Sequence, residues 1–171
     1  NRGHYDLISV EGNDFIMMYM GWGIEDEDIA WMNEVLAEYP DRIAFLNFHD
    51  YLLSNGTRSA VGNKLYEEVV VPNPNVVAVL SGHYTGANML KSELDDNGDG
   101  TPDRTVYQML ADYQGHAEGG MGYLRLLHFD TEGDRIIVNT YSPYLDKYNY
   151  YTKPGIDEFT IDLDLEPKLK R

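Results

Sequence analysis

Residues 76–87, with the sequence VVAVLSGHYTGA, constrain the fold more than any other stretch of the chain. The apolar, β-branched run of residues 76–80 stops at Ser81-Gly82, a pattern typical of a buried strand followed by a turn. Glycine allows the backbone to turn tightly, so the next side chain, His83, is placed to point into a cleft beyond the sheet edge. The sequence therefore predicts a site residue at His83.

A second apolar run repeats this arrangement. Residues 42–48 (RIAFLNF) predict another short strand, and His49 follows it directly. A short helix, predicted over residues 64–69, lies between the two strands and implies a parallel crossover, so both histidines should emerge at the same sheet edge. Two imidazoles at one edge suggest a shared metal centre. The pattern alone favours hydrogen-bonded turn residues, because a histidine after a strand more often has that role and a zinc site needs at least three protein ligands.

The remaining pattern mixes strands with a helix. An amphipathic helix is predicted after Gly23, with the acidic residues 25–28 in its first turn and apolar residues from Ile29 to Tyr39 at three- and four-residue steps. Pro40 ends it. Residues 104–113 are compatible with either a helix or a strand, and residues 54–62 read as a polar loop. Further strands are predicted over residues 4–10, 14–20, 123–129, 135–141 and 158–163. The chain is therefore expected to belong to the mixed α/β class.

Composition excludes several classes of function. The 29 acidic and 13 basic residues give a net charge of -16, which argues against a nucleic-acid-binding patch and against anionic membranes as partners. The absence of cysteine excludes disulfides and thiolate metal sites. No apolar run approaches the roughly 20 residues of a membrane span. The chain does not begin with methionine, and we expect it to be a piece of a longer protein.

An acidic segment between the predicted strands follows part of a calcium-loop pattern. Positions one, three, five and nine are occupied by Asp95, Asn97, Asp99 and Asp103. Position twelve is Val106, so the bidentate glutamate of an EF-hand is missing. The segment is either a short loop that binds calcium weakly or a solvated acidic turn.

The order strand, histidine, helix, strand and Ser-Gly-His resembles the C-terminal half of a calcineurin-like metallophosphoesterase. Residues 105–130 (TVYQMLADYQGHAEGGMGYLRLLHFD) and 138–145 (VNTYSPYL) resemble a secreted or surface subgroup of the bacterial members. The resemblance implies an α+β sandwich, with two β-sheets flanked by helices. Residues 1–165 would form the C-terminal part of this domain, and residues 166–171 a charged tail. An extracellular or cell-surface location is therefore favoured over a cytoplasmic one.

The resemblance also implies a chemistry, the hydrolysis of phosphate mono- or diesters at a centre of two divalent metal ions. His49 and His83 would bind one ion, of iron, manganese or zinc, whereas Thr85 stands where a histidine ligand of the other is expected. The Asp-x-His and Gly-Asn-His motifs of the family's N-terminal half are absent from this chain. We therefore expect the chain to be inactive alone and to associate with the missing half or with a second copy.

A function of a different class remains open. The chain could be a non-catalytic extracellular module, with the acidic calcium-like loop and the tyrosine-rich residues 144–151 serving to bind carbohydrate or protein. The threonine at position 85 is in keeping with this alternative.

Overall fold

The computed structural model describes residues 3–163 and 165. Within these residues the strands are Gly3–Val10 (β1), Asn13–Met20 (β2), Ile43–Phe48 (β3), Val76–Ser81 (β4), Gly86–Leu94 (β5), Arg104–Asp112 (β6), Leu124–Asp130 (β7), Arg135–Ser142 (β8), Lys147–Tyr148 (β9) and Phe159–Asp162 (β10). The helices are Asp26–Glu38 (α1), Ala60–Leu65 (α2) and the short Ala117–Gly120 (α3), and a π-helical turn, Tyr66–Val70, continues α2. The predicted charged tail, residues 166–171, lies outside the described residues.

Six strands form the larger sheet, in the order β1-β2-β3-β4-β6-β5. The four central strands β2, β3, β4 and β6 run parallel to one another. At the two edges of the described sheet, β1 pairs antiparallel with β2 and β5 pairs antiparallel with β6. The carboxyl ends of four parallel strands therefore meet along one edge, which is where open α/β sheets bind ligands.

A smaller antiparallel sheet, β10-β8-β7 with β9 paired to β8, packs against one face of the larger sheet. Phe45 and Met109 from the larger sheet share an apolar cluster with Ile136 and Val138 from β8. The opposite face is covered by α1 and by the helical segment of residues 60–70, which bury residues such as Met32 against it. The fold is therefore an α+β sandwich with a helical layer on its outer face, which confirms the expected fold class.

Helix α1 forms where the sequence predicts it. Ile29, Met32, Val35 and Leu36 are buried on one face. The helix begins with a capping box, in which the backbone N–H of Glu25 donates to the carboxylate of Asp28 at 2.9 Å. The acidic residues before Ile29 therefore stabilise the N-terminus of the helix, where the helix dipole favours negative charge.

The structure corrects the boundary of the second helix. The prediction of a loop through residue 62 is wrong, because α2 begins at Ala60 with the hydroxyl of Ser59 accepting the backbone N–H of Gly62 at 3.0 Å. Gly62 also lies so close to the carbonyl of Tyr51 that a β-carbon there would collide with it. Glycine, which punctuates loops in sequence patterns, is here required by helix packing.

The structure also resolves the segment that the sequence left open. Residues 104–113 form strand β6 and the first residue after it, rather than a helix. Strands β5 and β9 were not predicted, since neither has a run of β-branched residues. Among the described residues, no helix is both long enough and apolar enough to cross a membrane.

We predict that Phe45→Ala lowers the free energy of unfolding by about 3–5 kcal/mol, since it removes a buried aromatic ring between the two sheets. Phe45 is 0% exposed and contacts Phe15 and Phe129, with ring centroids 6.3 and 5.7 Å away. Urea unfolding monitored by circular dichroism measures the change. Leu7→Ala, on β1 and 42% exposed, is the control and should change stability far less. Equal effects of the two substitutions would contradict the sandwich packing.

Candidate functional site

The carboxyl ends of the parallel strands bring together side chains that are far apart in sequence. Trp22 follows β2, His49 follows β3, His83 follows β4 and Asp112 ends β6. Strand pairing of β3 with β4 places Phe48 beside Ser81, so the segments that follow these residues leave the sheet side by side. The candidate site therefore lies at this edge.

His49 and His83 form the centre of the site. The Nε2 atom of His49 lies 3.0 Å from the Nδ1 atom of His83, and the ring planes are inclined by 50°. The backbone N–H of Gly82 donates to the carbonyl of His49 at 3.3 Å and ties the two strand ends together. The prediction that both histidines emerge at one sheet edge is confirmed.

The backbone of His83 adopts an uncommon conformation. Its φ angle is +67°, and the N–H of Tyr84 donates to the carbonyl of Gly82 at 2.9 Å, which makes His83 the central residue of a three-residue turn. A residue with a β-carbon is disfavoured there by about 1–2 kcal/mol. Strain of this kind concentrates at functional sites, and here it aims the imidazole at His49.

The nitrogen pair has the spacing of two ligands of one metal ion. With zinc–nitrogen bonds near 2.0–2.1 Å, two ligands lie about 2.8–3.0 Å apart at octahedral angles and about 3.3–3.4 Å apart at tetrahedral angles. The observed separation of 3.0 Å matches the octahedral spacing and is also the length of a hydrogen bond between the two rings. Among residues 3–163 and 165, however, no group of three His, Cys, Asp or Glu side chains could hold a metal ion. The pair fits half of a metal shell, and a complete shell would need further ligands.

Trp22 is a site residue that sequence reasoning missed. Its ring lies 4.7 Å from the ring of His83 and 5.2 Å from that of His49, measured between centroids. From the sequence, Gly21-Trp22-Gly23 only marks the end of a strand pattern. The available signal was its position, because a tryptophan directly after a parallel strand lies at the same edge as the two histidines.

Asp50 and Tyr84 lie beside the histidine pair, each directly after one of the two histidines. The hydroxyl of Tyr84 donates to Oδ2 of Asp50 at 3.5 Å. Burial, followed by the negative charge of Asp50, raises the pKa of Tyr84. Tyr84 therefore remains a neutral hydrogen-bond donor to the carboxylate of Asp50.

Thr85 lies between His83 and strand β5. Its hydroxyl and methyl groups face Gly115, and a β-carbon at Gly115 would collide with them. The glycine-rich segment after β6 can approach Thr85 this closely because Gly115 has no side chain. The resemblance places a histidine ligand of the second metal ion at position 85. In this chain the position is held by the smaller side chain of Thr85, which packs against the backbone of Gly115.

The acidic loop lies away from the histidines. It joins β5 to β6, and the length of β5 separates it from His83 by roughly 27 Å at 3.4 Å per residue. The carboxylate of Asp95 accepts backbone N–H groups from Gly98, Asp99 and Gly100, at 2.6–3.2 Å. These bonds, that from Gly100 foremost, lower the pKa of Asp95.

The other end of this loop is held in the same way. Asp103 accepts the backbone N–H groups of Asp96 and Asn97 at 2.7 and 3.1 Å, and Asn97 also donates its side-chain amide to Asp103 at 2.9 Å. The side chain of Asn97 accepts the N–H of Asp99 at 2.9 Å. All four candidate calcium ligands are therefore engaged with the loop's own polar groups, and calcium binding stays a prediction.

The remaining histidines in the described residues take no part in the pair. His116 hydrogen-bonds the hydroxyl of Tyr151 at 2.8 Å and stacks on Tyr150, with centroids 4.3 Å apart. His128 lies exposed on β7. The predicted tyrosine-rich surface of residues 144–151 is exposed only in part. Tyr144 is exposed, whereas Tyr151 packs against His116 and Tyr113.

We predict that His83→Gly is more stable than His83→Ala by about 1 kcal/mol. Both substitutions remove the imidazole, but only alanine keeps a β-carbon at the positive φ angle. Urea unfolding of the two variants measures the difference. His49, which lacks a positive φ angle, is the matched control, and glycine should there be less stable than alanine by about 0.5–1 kcal/mol. The same order at both positions would show that His83 is not strained.

For the acidic loop we predict weak calcium binding, with heat released or absorbed in calorimetric titration at roughly millimolar calcium. Asp95→Ala should abolish the heat, because Asp95 occupies the first position of the pattern. Asp41→Ala, an exposed carboxylate outside the loop, is the control. A titration without heat would leave the segment as a solvated turn.

No protein-family model matches the chain. It is 63% identical, over an alignment of 174 positions, to the uncharacterized protein YvnB of Bacillus subtilis (strain 168). The alignment covers 100% of this chain but 14% of that protein, so the chain spans about one seventh of its relative's length. Among solved structures, the chain is similar to GAP50, described as the anchor in the inner membrane complex of Plasmodium. The TM-score is 0.47 at 12% identity, covering 97% of this chain and 55% of that one.

Proposed function

We propose that this chain is the C-terminal half of a calcineurin-like metallophosphoesterase domain and contributes two metal ligands to the hydrolysis of phosphate esters. The observation that carries the proposal is the 3.0 Å contact between His49 Nε2 and His83 Nδ1 at the carboxyl edge of parallel strands. This contact has the length of a hydrogen bond between the two imidazoles. The same two nitrogens would bind one divalent ion once the rings turn so that both lone pairs face a common point.

The local architecture supports this assignment. The resemblance rests on the order strand, histidine, helix, strand and Ser-Gly-His, and β3 and β4 are adjacent parallel strands with both histidines at their ends. The positive φ angle of His83 brings its ring within hydrogen-bond distance of His49, and strained backbone of this kind is concentrated at functional sites.

Each side chain has a role in the proposal. His49 and His83 hold the ion, and the backbone hydrogen bond between Gly82 and His49 fixes their spacing. A bound divalent ion would neutralise charge on the phosphate and lower the pKa of a coordinated water. Imidazole suits iron, manganese and zinc alike, so the identity of the ion stays open.

The proposal requires ligands from outside this chain. The described residues supply two nitrogens, and the hydroxyl of Thr85 is a weak neutral ligand compared with imidazole. The alignment covers 14% of the Bacillus subtilis relative, and a parent protein of similar length would have many further residues that could supply the remaining metal ligands. Leu7, Ile8 and Val10 expose apolar surface on β1, at the edge of the described sheet, where a further half or a second copy would cover them. The chain alone is expected to be inactive.

We predict that the full-length parent protein contains close to two metal ions and hydrolyses a chromogenic phosphate ester. His83→Ala should lower kcat/KM by at least about 100-fold, because it removes a metal ligand held in place by the turn. Mass spectrometry for metals and a colorimetric assay provide the two measurements. His128→Ala, which removes an exposed histidine on β7, is the control and should retain activity.

A parent protein with little metal and no hydrolysis, in the wild type and in His83→Ala alike, would contradict the proposal. It would favour the alternative of a non-catalytic extracellular binding module. Tyr144 and Tyr148, which are 74% and 63% exposed, are the observation on its side, since such side chains form binding surfaces for carbohydrate or protein.

A further inference from the structure

Trp22 combines contact with the histidine pair and exposure to solvent. The side chain is 61% exposed, although tryptophan buries a large apolar area in most folds. It is absent from both apolar clusters that form the core of the described residues. The indole therefore contributes little to the packing of this fold, and its exposed ring surface is available to a ligand.

A cavity adjoins the exposed indole. It has a volume of about 140 Å³ and is lined by Gly21, Trp22, Gly23, Ile24, Asp50 and Val61. Most of its lining is apolar, and it lies between the loop after β2, the end of β3 and helix α2. An engineered apolar cavity of about 150 Å³ accommodates benzene, so this volume suits one six-membered ring.

The flanking glycines leave this surface accessible. Gly23 has a φ angle of +77°, and a β-carbon placed on it would meet no atom within 4 Å. The loop is thus not crowded from the solvent side, and a ligand can approach the indole there. Trp22 contacts both imidazoles, and Asp50, the residue after His49, lines the cavity. A ring bound in the cavity would therefore lie against residues that adjoin the histidine pair.

We propose that Trp22 and the adjoining cavity bind an aromatic ring on the leaving group of the phosphate ester, and this inference rests on the proposed function. In the reaction, the oxygen of water bonds to phosphorus and the bond from phosphorus to the ester oxygen breaks. The released alcohol takes one proton, and the phosphate product retains the other as the pH requires. Trp22 touches the alcohol portion and determines which esters are preferred.

The first experiment compares 2-phenylethyl phosphate with butyl phosphate, using the full-length parent protein with its metal. Both esters release an alkyl alcohol, so the ring is the main difference between them. Trp22→Ala should lower kcat/KM for the phenylethyl ester about tenfold, in line with the loss of ring stacking, and change that for the butyl ester by less than about twofold. Trp22→Phe should restore most of the preference, because it restores an aromatic ring.

Tyr148→Ala is the matched control. Tyr148 is 63% exposed, close to the value for Trp22, and lies on β9 in the smaller sheet. Its substitution should leave the ratio of the two kcat/KM values unchanged. An unaltered ratio in Trp22→Ala, with hydrolysis intact, would overturn the inference while leaving the phosphoesterase proposal standing.

A binding measurement separates the inference from the proposed function. Phenylphosphonate and methylphosphonate cannot undergo hydrolysis at an ester bond, and calorimetry of the same protein should give tighter binding of the phenyl compound. Trp22→Ala should abolish that difference. If no ester is hydrolysed but the difference persists and depends on Trp22, the ring site is supported and the phosphoesterase proposal fails. Equal affinity for the two phosphonates would overturn the ring site.

Aromatic rings also attract cations, and phosphocholine tests this possibility. If Trp22→Ala lowers kcat/KM for phosphocholine but not for the phenylethyl ester, the inference of an aromatic leaving group is overturned. The reverse pattern supports it.

Discussion

The parallel pairing of β3 with β4 is the constraint on which the candidate site depends. Leu46 pairs with Val79 and Phe48 with Ser81, so the chain leaves both strands at the same level and the two histidines meet. The register is fixed by burial on both faces of the sheet, since Phe45 faces the smaller sheet and Leu46 faces the helices. A slip by one residue would exchange these faces.

A buried polar network joins the segment after His49 to strand β6. The hydroxyl of Tyr51 donates to Oε1 of Gln108 on β6 at 3.0 Å, and Nε of Arg58 donates to the same oxygen at 2.6 Å. The guanidinium of Arg58 lies 3.4 Å from the ring centroid of Tyr66. Burial raises the pKa of Tyr51 and keeps its hydroxyl protonated. The network therefore holds the segment after β3 to the middle of β6, where Gln108 pairs with Val79.

Sequence reasoning identified the parts of this arrangement that depend on local pattern. The two strands that end in histidine, helix α1 and the pairing of His49 with His83 at one edge were all predicted, because apolar periodicity and the crossover rule determine them. Strand β5 was missed, since its residues carry no strong β pattern and it forms by pairing with β6. Trp22 was missed although its place after a strand was a signal, whereas the cavity beside it depends on the approach of three separate elements, which a single sequence does not reveal.

The crossover between the histidines has a consequence for folding kinetics. His49 and His83 are 34 residues apart and belong to one unit of strand, helix and strand. The turn after β1 contacts the turn after β7 through Glu11 and Thr131, which are 120 residues apart. Closing the shorter loop between the histidines costs about 1 kcal/mol less in chain entropy. Both histidines and the two strands that carry them precede β7 to β10 in the chain. A growing chain would therefore already contain the residues of the nitrogen pair while the smaller sheet is still being translated.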